Sequence, residues 1–219
     1  MNEDNKQKRE EILKALNWRY ATKVFDTSKK VSDEDIHTIL ESARLSPSSN
    51  GVEMWKFIIV ENAEIRAKLQ AVGYDQSKIT EASHLIVIAY RTDAIENLSK
   101  ERIERVAKIQ NQNIDELASY RTSLDNAVAK KVQNGTLEAW IKAQAYIPLG
   151  IMVETASLLN IDNGPMEGFQ PDKVDEILNL KNENLKSVTM LALGYRGEDA
   201  FSKKPKVRRT FDEVVKFVK

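Results

Sequence analysis

The run TLEAWIKAQAYIPLGIMVETASLLN, Thr136 to Asn160, constrains this chain more than any other stretch. Its apolar residues fall on nearly every face of a helical wheel, so it predicts a helix enclosed by other elements on most sides. Pro148 is accommodated within it at the loss of one backbone hydrogen bond. Such a helix needs layers around it. Three short apolar runs supply a sheet: KFIIVEN after Trp55, HLIVIAY from His84 to Tyr90, and SVTMLALGYRG from Ser187 to Gly197. Ile12, Leu13 and Leu16 recur at helical spacing, and Ser32 with Asp35 reads as a capping box before DEDIHTILESARL. Ile36, Ile39, Leu40 and Ala43 share one face of that second helix, and shorter helices are predicted near 65–72, 78–82 and 174–178. Residues 94–134, charge-rich and nearly free of Gly and Pro, predict one or two long exposed helices. IDNGPMEGF, from Ile161, reads as a turn, and the tail is basic before becoming apolar at period four (Phe211, Val214, Val215, Val218). With no repeat and no linker, residues 1–219 read as a single α+β domain with a helical excursion at about 94–134.

Composition removes whole classes of function. The chain has 219 residues, 42% hydrophobic and 30% charged, enough to bury a sizeable core. Lys+Arg and Asp+Glu both number 33, so no global field draws nucleic acid or anionic lipid, and any anion site must be local. The absence of cysteine removes disulfides, thiolate nucleophiles and cysteine-type zinc sites, and two histidines, His37 and His84, are too few for most histidine metal sites. His84, opening an apolar strand, reads as a structural histidine; Trp55, Trp140 and Tyr146 read as core aromatics. The polar start MNEDNKQKREE lacks the apolar run of a signal peptide, and nothing approaches the roughly 18 apolar residues that would span a bilayer. A cytoplasmic protein, with neither membrane nor nucleic acid as partner, is expected.

The phosphate-binding and nucleophile fingerprints G-x-G-x-x-G, G-x-x-x-x-G-K-[ST] and G-x-S-x-G are absent. What remains is dispersed: Arg19 and Lys23 near one end, Lys206, Arg208 and Arg209 near the other, a hydroxyl-rich loop with Ser46, Ser48, Ser49 and Asn50, and a Glu167–Gly168 turn. Singly, each reads as solvated charge or ordinary loop.

In order and spacing, five segments resemble the FMN-dependent nitroreductase family, particularly its oxygen-insensitive NAD(P)H nitroreductase and dihydropteridine reductase branch. They are RYATKVFD (Arg19 to Asp26), LSPSSNGVEMWKFIIV, ITEASHLIVIAY, GPMEGF and the closing KPKVRR. The resemblance implies a three-layer sandwich with a central mixed sheet wrapped by helices. It also implies an intertwined homodimer with FMN at the interface, each site drawing on both chains. The RYATK strap (Arg19, Tyr20, Ala21, Lys23) then lies along the cofactor. Arg19, Lys206 and Arg208 are the phosphate candidates, since guanidinium and ammonium groups suit a phosphate dianion. Lys23, with Lys78 second, would stand at the flavin edge where negative charge develops. Pro165, Met166, Glu167 and Gly168 would pass the reacting nitrogen of the ring, with a backbone N–H at Glu167. Ser48 and Ser49 would arrive from the partner subunit. No side chain is implied as catalytic, because FMN carries the chemistry. The implied activity is ping-pong hydride transfer from NADH or NADPH to a small acceptor such as a nitroaromatic or quinone. A flavin carrier or sensor, and a dihydropteridine- or dehalogenase-type reductase, stay open as alternatives.

Several positions depart from the family pattern. Ala21 stands where serine is usual; Gly51, Glu53 and Met54 stand where Asn, Gln and Pro are common; Asp75 stands where many relatives carry asparagine. An ionised Asp75 cannot donate to a flavin carbonyl, so either it pairs with Lys78 or the ring edge is contacted differently.

Overall fold

The computed structural model describes residues 3–219. Four strands form its sheet: β1 (Trp55–Ile59), β2 (His84–Arg91), β3 (Asp162–Met166) and β4 (Leu185–Gly194), in the order β1-β2-β4-β3. Every ladder is antiparallel, which corrects the expected mixed sheet. Among the described residues the only parallel contact is an isolated bridge between Ala21 and Asn163. The strap meets β3 there, then crosses to the exit of β4, where Phe25 bridges Arg196, so no parallel ladder propagates.

Alternation along the central strands builds two cores. Ile86, Ile88, Leu191 and Leu193 face α2 (Asp33–Arg44) and α7 (Leu137–Leu158), packing with Ile36, Ile39, Leu149, Met152 and Ala156. Leu85, Val87, Met190 and Ala192 face the other way, against Leu69 of α3 (Ala63–Val72), Ile79 of α4 (Lys78–Glu81) and Val174 of α8 (Pro171–Ile177). Helices therefore cover both faces, giving three layers, and this double burial is why β2 and β4 read as continuous apolar runs.

The Ser32 cap forms as expected: its side chain accepts from Asp35 N and starts α2. Helix α1 spans Glu3–Trp18, and the excursion is α5 (Ala94–Gln110) and α6 (Ala118–Gln133) with a short 3₁₀ turn between them. Val52, Met54, Tyr90, Leu98, Val128 and Ile141 form a third cluster that ties the excursion to the sheet, with Trp140 packed against it and Trp55 half-buried nearby. His84 Nδ1 lies 3.0 Å from Ser83 Oγ. The tail makes only one helical turn, α9 (Phe211–Val214). The segment expected as a turn is instead β3. It carries Asp, Asn, Gly and Pro, all poor strand formers, but sits at the sheet edge, where Pro165 can replace a donor. Among the described residues no helix is long and apolar enough to cross a membrane.

One buried cation fixes α4. Arg66 is 6% exposed and has no ion pair among the described residues. Its Nε donates to Ile79 O at 2.7 Å and its Nη2 to Ala82 O at 2.6 Å, satisfying carbonyls that a one-turn helix leaves open. Arg66→Met should therefore cost about 1–3 kcal/mol, the scale for leaving buried acceptors unpaired. Urea unfolding tests it, and an unchanged midpoint would refute the clamp.

Candidate functional site

The site is built on the strap that follows α1, and two carboxylates fasten that strap. Asp162, the first residue of β3, is 4% exposed. It accepts from Arg196 Nε at 2.6 Å and from the Arg196 backbone N at 2.9 Å. Arg196 Nη2 also lies 2.5 Å from the Asp162 carboxylate, at too oblique an angle to count as a hydrogen bond. The same guanidinium lies 4.3 Å from the Trp18 ring centroid and 4.8 Å from that of Tyr20, so it pins both aromatics. Asp199 accepts from Tyr20 Oη, Lys23 N and Phe201 N, each at 2.9 Å. Burial pushes its carboxyl upward, but these donors outweigh burial and hold it below the usual carboxylate range. The Tyr20 hydroxyl is pushed up to about 12 by burial and by Asp199. Thr22 N donates to Asn163 O at 3.1 Å, and a Cβ on Gly164 would stand 2.9 Å from Thr22 O, so only glycine permits this approach.

The strap and the basic tail enclose a pocket of about 420 Å³ lined by Arg19, Tyr20, Ala21, Lys23, Phe201, Lys204, Lys206 and Arg208, among others. None of its cations takes part in an ion pair among the described residues. Lys206 Nζ caps the end of α1, donating to Leu16 O at 2.9 Å and to Arg19 O. Arg19 Nε is enclosed without a partner. Burial and then the Arg208 charge lower the pKa of Arg19; burial and then Arg19 and Arg208 lower that of Lys206. An anion in the pocket would oppose both shifts by favouring the charged forms.

A second cationic pair stands beside β3. Lys78 is 3% exposed, and the position of a Cβ on Gly164 is 3.4 Å from its Cδ. Burial, and then the charge of Lys23, lower its pKa to about 8. Asp75 makes no ion pair with it: Asp75 belongs to a left-handed turn, Tyr74 (φ 55) and Asp75 (φ 54), and is exposed, whereas Lys78 is buried. Pro165 and Met166 continue β3 past the strap to Glu167 and Gly168; Gln76 Nε2 donates to Gly168 O at 2.7 Å.

Arg19, Tyr20, Ala21, Lys23, Lys206 and Arg208 thus meet in one pocket, with Lys78 beside Lys23. Ser48 and Ser49 lie elsewhere in the chain. Ser48 Oγ accepts from Glu53 N at 2.9 Å, and Ser49 N donates to Gln144 Oε1 on α7 at 2.8 Å. Two participants escaped the sequence reading. Lys204 lines the pocket, 4.3 Å over the Phe201 ring. Tyr146, read as a core aromatic, is 39% exposed and donates to the Glu167 carboxylate. Its polar end had no sequence-local partner to announce it. An unpaired guanidinium with an enclosed donor, an ammonium and further cations suit a phosphate, and the Lys23–Lys78 pair suits a ring edge that gains negative charge; the residues fit FMN.

A model described as the Nitroreductase family matches residues 16–195. A Staphylococcus epidermidis protein carrying the provisional name NAD(P)H nitroreductase is 37% identical, over 97% of this chain and 99% of its own. A Bacillus subtilis protein of the same provisional name is 38% identical, over 95% and 97%. Among solved structures, a provisionally named nitroreductase of Bacillus subtilis superposes with a TM-score of 0.84 at 19% identity, covering 96% of this chain and all (100%) of its own. One from Exiguobacterium sibiricum, solved in complex with FMN, gives 0.78 at 21%, covering 94% and 97%.

The depressed Lys78 pKa fixes a sign. With no ligand bound, the unfolded chain holds more protons than the folded one between about 8 and the ordinary value of 10.5, so stability rises with pH across that window. Below it, the cost of burying the charged ammonium is present in full. Lys78→Met should flatten the rise and stabilise the ligand-free protein at neutral pH. Denaturation at a series of pH values checks this, and a slope that survives the substitution would refute it.

Proposed function

The chain belongs to the nitroreductase family, and from that premise we propose that it is an FMN-dependent NAD(P)H oxidoreductase acting as a cytoplasmic homodimer on small acceptors of the nitroaromatic or quinone type. The observation that carries the reading is the set of unpaired cations along the strap. They form one cluster at the α1 end and a second, Lys23 with Lys78, beside β3. FMN supplies the chemistry when bound, accepting a hydride from NADH or NADPH and passing it to the acceptor. The chain's part is to hold and polarise.

Arg19, Lys204, Lys206 and Arg208 would hold the phosphate, with Arg19 Nε finding there the acceptor it lacks. Lys23 and Lys78 would face the pyrimidine edge and favour the electron-rich form. The Glu167 backbone N–H would direct the ring, with the Glu167 side chain drawn aside by Tyr146. The absence of a dinucleotide fingerprint fits a donor that binds loosely and leaves before the acceptor enters.

A second copy accounts for the surface this chain leaves bare. Leu13 of α1 is 60% exposed, and Phe211, Phe217 and Val218 of the tail are 63%, 74% and 87% exposed. Covering them in a dimer would also bring Ser48 and Ser49, which lie outside this chain's pocket, to the partner's cofactor.

The protein should purify yellow with about one FMN per chain. Arg208→Ala should loosen FMN with little change in the midpoint potential of what stays bound, whereas Lys23→Ala should lower that potential. Equilibrium dialysis and spectroelectrochemical titration separate the two effects. A colourless protein that FMN cannot reconstitute, or a flavin-loaded monomer in light scattering, would overturn the reading.

A further inference from the structure

The excursion carries two guanidinium groups that no carboxylate engages through a hydrogen bond among the described residues. Arg102 and Arg105 stand one turn apart on α5 and share one carboxylate, that of Glu53. Arg102 Nη1 is 3.8 Å from one Glu53 oxygen and Arg105 Nη2 3.6 Å from the other, both beyond hydrogen-bond range. The nearby Glu101 bonds Arg91 through contacts of 2.5 and 2.9 Å, with Asp93 on the same guanidinium, and reaches Arg105 only through the longer-range attraction of their charges. Arg105 Nε is enclosed and has no acceptor. Two guanidinium groups without a hydrogen-bonded carboxylate, and an enclosed donor without an acceptor, leave spare hydrogen-bonding capacity for an oxyanion.

The loop beneath them is moulded to the guanidinium. A Cβ on Gly51, where φ is +64°, would lie 2.6 Å from Arg102 Cζ. Tyr120 Oη accepts from Arg102 Nε at 3.4 Å and donates to Asn50 O at 3.2 Å. Glu53 itself sits at φ 49, a left-handed backbone that is unfavourable for a residue with a side chain. Gly51 and Glu53 are two of the positions at which this chain departs from the family pattern; Gly51 meets Arg102, and Glu53 faces both arginines. The loop begins with Ser48 and Ser49, so the pair flanks the segment assigned to the partner's cofactor.

We propose that Arg102 and Arg105 form an oxyanion-recognition subsite at the edge of the active site, taking a phosphate monoester or carboxylate carried by a reactant. Glu53 is the internal counter-ion that the incoming group displaces. The inference rests on the proposed function, which places this loop beside a cofactor. It gives that site a preference for anionic reactants and opposite roles to Glu53 and Arg105.

Two matched pairs of reactants differ by one such group: NADPH from NADH by a phosphate, and 4-nitrobenzoate from 4-nitrobenzamide by a carboxylate. The readout is the ratio of kcat/KM within each pair for the wild type, Arg105→Gln and Glu53→Gln, with FMN content and thermal unfolding checked for each. In at least one pair the anionic member should be favoured, and the pair affected identifies which reactant carries the group. In that pair Arg105→Gln should lower the ratio about tenfold, which corresponds to about 1.4 kcal/mol. Glu53→Gln should raise it several-fold, and added salt should erode the wild-type preference. A merely structural clasp would move both variants the same way. Ratios within twofold of wild type for Arg105→Gln in both pairs, or lowered alike by the two substitutions, overturn the proposal. If FMN-loaded protein is bleached by neither donor, the proposed activity fails instead. Calorimetric dissociation constants for the same four compounds and three proteins then decide the subsite by the same criteria.

Discussion

The ion pair between Asp162 and Arg196 is the constraint on which the site depends. A carboxylate this deeply buried is tolerable only when paired, and removal of one partner of such a pair commonly costs about 3–5 kcal/mol. The pair exists because β3 and β4 run antiparallel with Asp162 opposite Gly194, which sets Arg196 two residues beyond the strand and in reach. Arg196 then stacks on Trp18 and Tyr20, fixing where α1 ends and where the strap begins. Register at one sheet edge thereby sets the entrance of a pocket formed by residues almost 190 positions apart, as the contact between Lys206 and Arg19 shows.

The chain is electrically neutral as a whole, yet it gathers unpaired cations from the strap and the basic tail around one pocket. Such clustering is unfavourable in the empty protein: burial and neighbouring charge depress Arg19, Lys206 and Lys78 alike. A group that bears negative charge relieves this strain, so ligand binding and folding stability are linked here. Lys206 shows how closely function and local structure overlap, since the ammonium that faces the pocket also satisfies the open carbonyls at the end of α1.

Elements with one dominant local signal were legible in the sequence. Strands β2 and β4 are apolar on both faces because both faces are covered, α2 announces its own cap, and the apolar run at Thr136 forms α7 despite Pro148. Strand β3 was hidden because DNGPM argues against a strand at nearly every residue; its conformation is imposed by pairing with β4. The tail has helical spacing but forms one turn, since its apolar side chains stay exposed and no packing from this chain supports a longer helix. The basic residues of the pocket were legible through collinear motifs. Lys204 opens the KPKVRR segment without a signal of its own, and Tyr146 was hidden because its partner Glu167 is distant in sequence. Asp75 and Lys78 are close in sequence and oppositely charged, but a left-handed turn and burial send them apart.

The departures from the family pattern also become coherent in three dimensions. Glu53 in place of an amide would leave an uncompensated carboxylate in the loop after Ser48 and Ser49 if it stood alone. It stands instead opposite Arg102 and Arg105, on an excursion whose own sequence gave no hint of a role. Gly51 removes the Cβ that Arg102 would strike, and Tyr120 of α6 bonds the same loop, so both excursion helices are joined to it. The central sheet and its covering helices bury their side chains against one another and have little freedom to change. The loop and the excursion meet through half-exposed charges whose pairing is weak enough to exchange. Variation in what such a protein recognises is therefore expected at this contact, while the strap that lines the basic pocket stays fixed by the buried pair beneath it.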